Sequence, residues 1–214
     1  MLVHLDDARI KARAGSLAPE KVWRAVTLGD ESVFTRPERG NDTELSVDIL
    51  LDASASQIER QESVSTQAYM IAESLTRCGI PTRVYSFCTL NGCTVLRLFR
   101  DYEETNKNET IFDYCAAGWN RDGLAFRAAG WMMRSSHCER RLLMILSDAS
   151  PNDDRKLLVQ ETGKPELYRG QPGVLDSAAE VEKLRREGIS VMCIFTGEAA
   201  DLPSARRIYG RELV

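Results

Sequence analysis

A short apolar run followed at once by oxygen-bearing side chains decides the fold of this chain: residues 45–56 read LSVDILLDASAS. The apolar part, residues 45–51, is typical of a strand buried in a parallel sheet. Asp52, Ser54 and Ser56 then supply one carboxylate and two hydroxyls at alternate positions. A loop curling over the strand end can aim all three at one point, and such ligands suit Mg²⁺, Mn²⁺ or Ca²⁺. Taken alone, the segment is more typical of an ordinary turn with a helix cap than of a metal site.

Strands and helices alternate along the rest of the chain. Apolar residues at three- and four-residue spacing predict helices over residues 63–78, 122–134, 174–187 and 203–208. Short apolar runs predict strands over residues 82–88, 94–99, 141–146 and 189–195. Asn91-Gly92 predicts a tight turn that joins the first two of these strands in a hairpin. The alternation predicts an α/β, Rossmann-like fold: a mostly parallel central sheet with one antiparallel edge hairpin and helices on both faces.

The first 43 residues differ from the remainder in composition. They are polar and interrupted by Gly and Pro, which indicates an N-terminal extension packed on a main domain of residues 44–214. Within the extension, residues 23–28 and 31–35 flank Gly29-Asp30 and suggest a hairpin.

Bulk composition excludes several classes of protein. The chain has 214 residues, 43% hydrophobic and 28% charged, with a net charge of -4 and a mean hydropathy of -0.31. No apolar run approaches a membrane span and no signal peptide is visible, so we expect a cytoplasmic protein with no membrane association. The basic footprint of nucleic-acid binding is absent. Six cysteines without a Cys-x-x-Cys pair argue against zinc and favour reduced thiols.

Two further polar segments lie where a ligand of such a sheet would bind, beyond the carboxyl ends of the strands. Residues 147–154, SDASPNDD, directly follow the most apolar strand, residues 141–146. If that strand is a neighbour of the strand over residues 45–51, Asp148 lies beside the loop of residues 52–56. Residues 118–123, GWNRDG, enter a helix. Each segment also has an ordinary interpretation, the first as a solvated acidic turn and the second as a helix N-cap.

Together the three segments resemble the metal-ion-dependent adhesion site (MIDAS) of von Willebrand A (VWA) domains. That site combines Asp-x-Ser-x-Ser after the first strand with a Thr loop and an Asp loop. The resemblance covers residues 44–212 and implies a Rossmann-like VWA fold with metal ligands from Asp52, Ser54, Ser56 and Asp148. Asn120 occupies the expected Thr position with Asp122 close by, so either of these two is a candidate ligand.

The middle and third loops are similar to those of VWA domains in bacterial nitric oxide reductase activation proteins and in the large subunit of aerobic cobaltochelatase. Members of that group pair with hexameric AAA+ ATPases of the MoxR kind and help to load or remodel metal centres. The resemblance implies a non-catalytic, Mg²⁺-dependent (or Mn²⁺- or Ca²⁺-dependent) adaptor whose protein ligand supplies an Asp or Glu carboxylate. Trp119 and Asp153 are candidates for the partner-binding surface. Packing is the ordinary interpretation of Trp119, and Trp131 is expected to be a packing residue.

Two other functions remain open at this point. A strand followed by Asp also begins the phosphotransfer site of haloacid-dehalogenase-type hydrolases, although Ser54 stands where those sites carry a second acid. A structural VWA scaffold with a vestigial metal site is the other alternative, because the middle loop is altered. Gly163-Lys164-Pro165 lacks the pattern of a phosphate-binding loop, so we interpret it as a surface turn and expect any ATP-driven work to come from a partner.

Overall fold

The computed structural model describes residues 9–12, 16–17, 34–37, 45–158 and 163–211. The chain divides into two compact units, Met1–Asp42 and Thr43–Val214. In the first unit, β1 (Arg9–Ala12), β2 (Ser16–Leu17) and β3 (Phe34–Pro37) form an antiparallel sheet in the order β1-β3-β2. The hairpin predicted around Gly29-Asp30 lies outside the described residues, apart from residues 34–35, which belong to β3. The packing of this segment on the main domain stays a prediction.

The second unit is an alternating α/β domain. Its elements, in chain order, are β4 (Leu45–Asp52), α1 (Gln61–Arg77), β5 (Thr82–Leu90), β6 (Cys93–Arg100), α2 (Asp122–Met132), β7 (Arg140–Ser147), β8 (Asn152–Leu158), β9 (Pro165–Arg169), α3 (Gln171–Arg186), β10 (Ile189–Phe195) and α4 (Leu202–Tyr209). The central sheet has the order β10-β7-β4-β5-β6, in which β6 alone runs antiparallel to its neighbour. The predicted parallel sheet with an antiparallel edge hairpin is therefore confirmed.

Strand β4 lies in the middle of this sheet, and its side chains from residue 46 to residue 52 are all buried. Ile49 and Leu51 pack into the core that contains the apolar face of α1. Leu50 points the other way, into the core formed with α2, α3 and α4. Alternate side chains of β4 thus belong to two hydrophobic cores, one on each face of the sheet. Because helices cover both faces, nearly every position of the strand is apolar.

The structure differs from the sequence prediction after β7. Residues 152–158 and 165–169, predicted as part of a polar loop, form the antiparallel hairpin of β8 and β9. The third polar segment, predicted over residues 147–154, therefore ends as a loop at Pro151. Strand β8 was not predicted because residues 153–156 are all charged. Its side chains are mostly exposed, and its register with β9 shifts between Asp153 and Lys156.

No helix among the residues that the structure describes is both long enough and apolar enough to cross a lipid bilayer.

Gly118 and Gly79 offer a test of how tightly the polar loops are packed. Both adopt a left-handed φ, +71° and +70°, but a Cβ on Gly118 would lie 2.4 Å from the Thr89 carbonyl oxygen, whereas a Cβ on Gly79 would meet nothing within 4 Å. We expect Gly79→Ala to lower the free energy of unfolding by about 1 kcal/mol through backbone strain alone. Gly118→Ala should cost at least ~2 kcal/mol more, because backbone must move. Urea denaturation of both variants measures the difference, and equal losses would show that the Gly118 loop is loosely held.

Candidate functional site

The Asp52 carboxylate, at the end of β4, joins three loops. Its Oδ1 accepts a hydrogen bond from the Ser54 backbone N–H at 2.9 Å. Its Oδ2 accepts one from the Ser147 hydroxyl at 2.8 Å and a long contact from the Asn120 amide at 3.5 Å. The three polar segments singled out in the sequence therefore meet at one point, because β4 and β7 are neighbouring parallel strands that end at the same edge.

The first loop brings its two predicted hydroxyls together. Ser54 is buried and Ser56 is exposed, and their Oγ atoms lie 2.9 Å apart. Ser54 stands at the start of the turn Ala55–Arg60 without making a side-chain cap, so its hydroxyl does not have the ordinary capping role. The Ala55 N–H donates to the Gly118 carbonyl at 2.9 Å, which fixes the first loop against the middle loop.

The middle loop extends the sheet over the site. Trp119 pairs in antiparallel fashion with Thr89 at the end of β5, and Asn120 pairs with Asn152 at the start of β8. The Asn120 side chain also accepts the Asn152 N–H at 2.9 Å and donates to the Ser150 carbonyl at 3.3 Å. Successive side chains of this bridge point in opposite directions, so that Asn120 is buried in the site and Trp119 is 48% exposed outside it.

Asp122, the first residue of α2, is the least satisfied group of the site. Its side chain is fully buried, and neither carboxylate oxygen has a hydrogen-bond partner among the described residues. The helix has no side-chain cap, so the capping role considered for Asn120 and Asp122 is not what the structure shows. Burial, followed by the charges of Asp52 and Asp148, raises the pKa of Asp122 well above its usual value, and the nearby Asn120 side chain opposes this shift. A buried carboxylate without a partner is costly and calls for a proton, a water or a cation.

The third loop places a further carboxylate beside the first two. Asp148 is buried, and its Oδ1 accepts the Ser150 N–H at 3.1 Å. Ala149 has a φ of +56°, the left-handed conformation in which the resembled motif carries Gly. Burial, and then the charge of Asp148, raises the pKa of Asp52 to about 6. Three acidic side chains thus influence one another in a region from which water is largely excluded.

The donors at this edge of the sheet are carboxylate, hydroxyl and amide oxygens, which are the ligands of hard cations. The orphaned Asp122 carboxylate is the observation that fits such an ion. Within the described ranges, however, no group of three or more His, Cys, Asp or Glu side chains is already arranged as a metal cluster. A cation would therefore rely on the serine hydroxyls as well as on the carboxylates.

Of the residues predicted at the partner surface, Trp119 is half-exposed at the rim, whereas Asp153 is buried with its Oδ1 3.4 Å from the Arg155 N–H. The expectation that Trp131 packs in the core is wrong, because its side chain is 70% exposed.

Several residues of the site gave no signal in the sequence. The Tyr114 hydroxyl donates to the Asp52 carbonyl, and Tyr168 of β9 accepts the Gly123 N–H at 2.9 Å while donating to Asp176 at 2.9 Å. The hairpin of β8 and β9 is thereby tied to the helix that carries Asp122. Gln57 follows the Asp-x-Ser-x-Ser run directly, and its position could have suggested a role: its Oε1 accepts the Thr196 hydroxyl at 3.2 Å, but its buried Nε2 has no partner among the described residues.

This architecture is the fold of von Willebrand A domains, and it carries oxygen-rich loops at the carboxyl edge of its sheet. The von Willebrand factor domain of the type V pilus tip protein Mfa5 from Porphyromonas gingivalis has a TM-score of 0.60 at 10% identity, over 78% of this chain and 87% of that one. The minor pilin PilB from Streptococcus sanguinis has a TM-score of 0.58 at 14% identity, over 78% of this chain and 54% of that one. At such identities the likeness shows the fold alone.

Two curated relatives match by sequence. The uncharacterized protein PA0525 of Pseudomonas aeruginosa is 28% identical over 166 residues, and protein NorD of Stutzerimonas stutzeri is 28% identical over 129 residues. These matches cover 75% and 58% of this chain but only 25% and 19% of the relatives, so the chain spans a quarter of their length or less. No protein-family model matches the chain. The similarity to NorD supports the closer resemblance drawn from the middle and third loops.

The buried carboxylates predict how stability depends on pH when divalent ions are removed. Asp52 has a pKa of about 6 in the folded protein against an ordinary value of 3.8, so the folded state binds more protons between these pH values. The free energy of unfolding should therefore fall as pH rises from 4 to 6, by up to about 3 kcal/mol for this group. Urea denaturation in EDTA measures the fall, which Asp52→Asn should reduce. A stability that rises over this interval, or an identical fall in the variant, would contradict the assignment.

Proposed function

We propose that this chain is a divalent-cation-dependent protein-binding module, an adaptor whose loops hold one Mg²⁺ (or Mn²⁺ or Ca²⁺). The observation that carries the proposal is the Asp122 carboxylate, fully buried beside two other acids. Within the part of the chain that the structure describes, neither of its oxygens has a hydrogen-bond partner at bonding distance. A divalent cation is the ligand that satisfies such a group without requiring a proton. The residues that would hold it are Asp52, Ser54, Ser56, Asn120, Asp122 and Asp148.

The donor set also supports a protein as the partner. Mg²⁺ usually keeps water in part of its coordination shell, and a carboxylate oxygen of another protein can replace that water. The side chain that completes the coordination would be an Asp or Glu of the partner protein. Trp119 lies half-exposed beside this loop cluster and offers an aromatic contact to the same partner. The divalent cation then becomes a condition for association.

The biological setting that we propose is metalloenzyme activation or metal insertion in combination with a MoxR-type AAA+ ATPase. The similarity to NorD and the resemblance of the middle and third loops support this part of the proposal. We also propose that the chain has no enzymatic activity of its own. Both Asp52 oxygens accept hydrogen bonds within the protein, which disfavours the free nucleophile of the hydrolase alternative.

Thermal unfolding with and without cations tests the site. A ligand that binds only the folded state stabilises it by about 2.7 kcal/mol at a hundred times its Kd. For a chain of this size we expect millimolar Mg²⁺ or Mn²⁺ to raise the Tm by roughly 5 °C or more. Asp52→Asn should abolish this rise, because it removes a charged ligand while keeping the shape of the side chain.

Asp48→Asn is the matched control for that experiment. Asp48 lies on the same strand, is buried like Asp52, and burial likewise raises its pKa to about 6, against the opposing effects of Tyr102, Arg83 and Tyr85. It is four residues, or about 13 Å, from Asp52 and outside the loops. The rise in Tm should persist in this variant, whatever its starting stability. No rise in the wild-type protein with any divalent ion would reduce the site to a vestige on a structural scaffold.

Association with the ATPase tests the adaptor function separately. We expect the purified MoxR-type ATPase encoded by the same genome to bind the chain in 5 mM Mg²⁺, and binding to weaken at least tenfold in EDTA or with Asp52→Asn, since the bridging ion is lost. Trp119→Ala should weaken it less, and Asp48→Asn should leave it unchanged. Surface plasmon resonance measures these affinities. Equal binding in Mg²⁺ and EDTA would overturn the bridging role of the cation, even if the ion itself binds.

A further inference from the structure

A cleft lies at the end of the central sheet opposite to the candidate cation site. A cleft of roughly 440 Å³ is lined by Arg83, Asp101, Trp131, Met132, Arg134 and Ser135. Arg83 is near the start of β5 and is paired in register with Asp48, whereas the candidate metal loops follow the ends of the strands. The cleft therefore takes no part in the cation site described above.

Hydrogen bonds of Arg83 hold the floor of this cleft together. The Arg83 guanidinium donates to Asp101 Oδ1 at 2.8 Å, to the Met132 carbonyl at 2.9 Å and to the Ser135 hydroxyl at 2.9 Å. It also stacks on the Tyr102 ring at 4.2 Å. A surface whose side chains are already fixed loses little conformational entropy when it binds a partner.

The wall of the cleft carries the two residue types that dominate binding energy at protein interfaces. Trp131 exposes 70% of its surface, more than the other large hydrophobic side chains of the described residues. The Arg134 side chain is 65% exposed, and its guanidinium is 3.9 Å from Glu187, a surface ion pair of small energetic value. Trp and Arg side chains are enriched among the residues that contribute most to protein–protein binding.

The charge of the lining indicates what fits there. The charge of Arg83 is neutralised within the protein, because its guanidinium lies 2.8 Å from the Asp101 carboxylate and 4.0 Å from that of Asp48. Arg134 makes a long surface ion pair with Glu187, at 3.9 Å, and the carboxylate of a ligand can compete with so weak a contact. The Trp131 indole beside it offers an apolar face. An acidic side chain next to an aliphatic or aromatic one complements this pair.

We propose that this cleft, the Trp131 cleft, binds a segment of a partner protein in which an Asp or Glu adjoins a large apolar residue. The acid pairs with Arg134, and the apolar side chain packs on Trp131. Binding here requires no divalent cation. The chain would then present two separate docking surfaces at opposite ends of one sheet.

Selection from a phage-displayed library of random 12-residue peptides tests the proposal. The intact chain is immobilised in EDTA, and peptides that also bind Trp131→Ala are removed. We expect the selected sequences to share an acidic residue beside Leu, Ile, Phe or Trp. Synthetic peptides of that sequence should bind at least tenfold more weakly to Trp131→Ala and to Arg134→Glu, as measured by fluorescence anisotropy.

Met70→Ala and Arg77→Glu on α1 are the matched controls, because they change an exposed apolar and an exposed basic residue that do not line the cleft. Affinity should stay within twofold in both controls, and also on addition of 5 mM Mg²⁺. No enrichment, a basic consensus, or equal binding to Trp131→Ala and Arg134→Glu would overturn the proposal. Binding that requires Mg²⁺ would place the peptide at the candidate cation site and would refute its binding in the Trp131 cleft. Self-association of the wild-type chain that Trp131→Ala abolishes would identify a second copy as the occupant and equally refute the partner segment.

Discussion

The hydrogen-bonded burial of the Asp52 carboxylate is the constraint on which the arrangement of the loops depends. Asp52 ends the middle strand of the sheet, so β5 and β7 flank it and its charge cannot reach bulk water. It accepts hydrogen bonds from Ser54 and Ser147 instead, and bonds to a charged group are worth about 1.5–3 kcal/mol each. These donors come from two loops, and the Asn120 amide approaches from the third. Satisfying one carboxylate thus positions all three loops.

Local chemistry explains why much of the fold was predictable from the sequence. The apolar run of residues 45–51 predicts a strand that is covered on both faces of the sheet, and β4 is such a strand. Asn91 and Gly92 have φ values of 51° and 73°, the two positive angles that a tight hairpin turn needs, and few other residue pairs adopt them easily. The positions of Asp52 and Asp148 at one edge of the sheet were also predictable, because β4 and β7 are parallel neighbours. Asn120 reaches the same edge through its antiparallel bridge to Asn152.

Long-range packing explains what the sequence did not reveal. Helix α2 has two overlapping apolar faces by spacing, one with Leu124 and Trp131 and the other with Ala125 and Ala129. The structure buries the second and exposes the first, because α2 packs on α3 where small residues allow close approach: a Cβ on Gly130 would lie 2.4 Å from Leu184. The hairpin of β8 and β9 was hidden because its stability comes from Tyr168, which reaches helices α2 and α3, and not from an apolar pattern of its own. Long-range packing also decides which groups lie near Asp122, and among the described residues none forms a hydrogen bond with either of its oxygens.

The two ends of β4 pose the same electrostatic problem and solve it differently. Asp48 is buried near the start of the strand, where the hydroxyls of Tyr85 and Tyr102 donate to it and the Arg83 guanidinium lies 4.0 Å away. At the other end, the strongest influences on the pKa of Asp52 are burial, the Asp148 charge and three hydrogen bonds. The pKa of Asp122 is raised by burial and by the charges of Asp52, Asp148 and Asp176, and the Asn120 side chain opposes this shift. A basic side chain comparable to Arg83 is not among these influences. The cost of burying like charges together grows as water is excluded. The protein itself provides a positive charge beside Asp48, whereas beside Asp52 the cation of the proposed function would provide it. A cation drawn from solution can in turn make an association conditional, which a permanently placed arginine cannot.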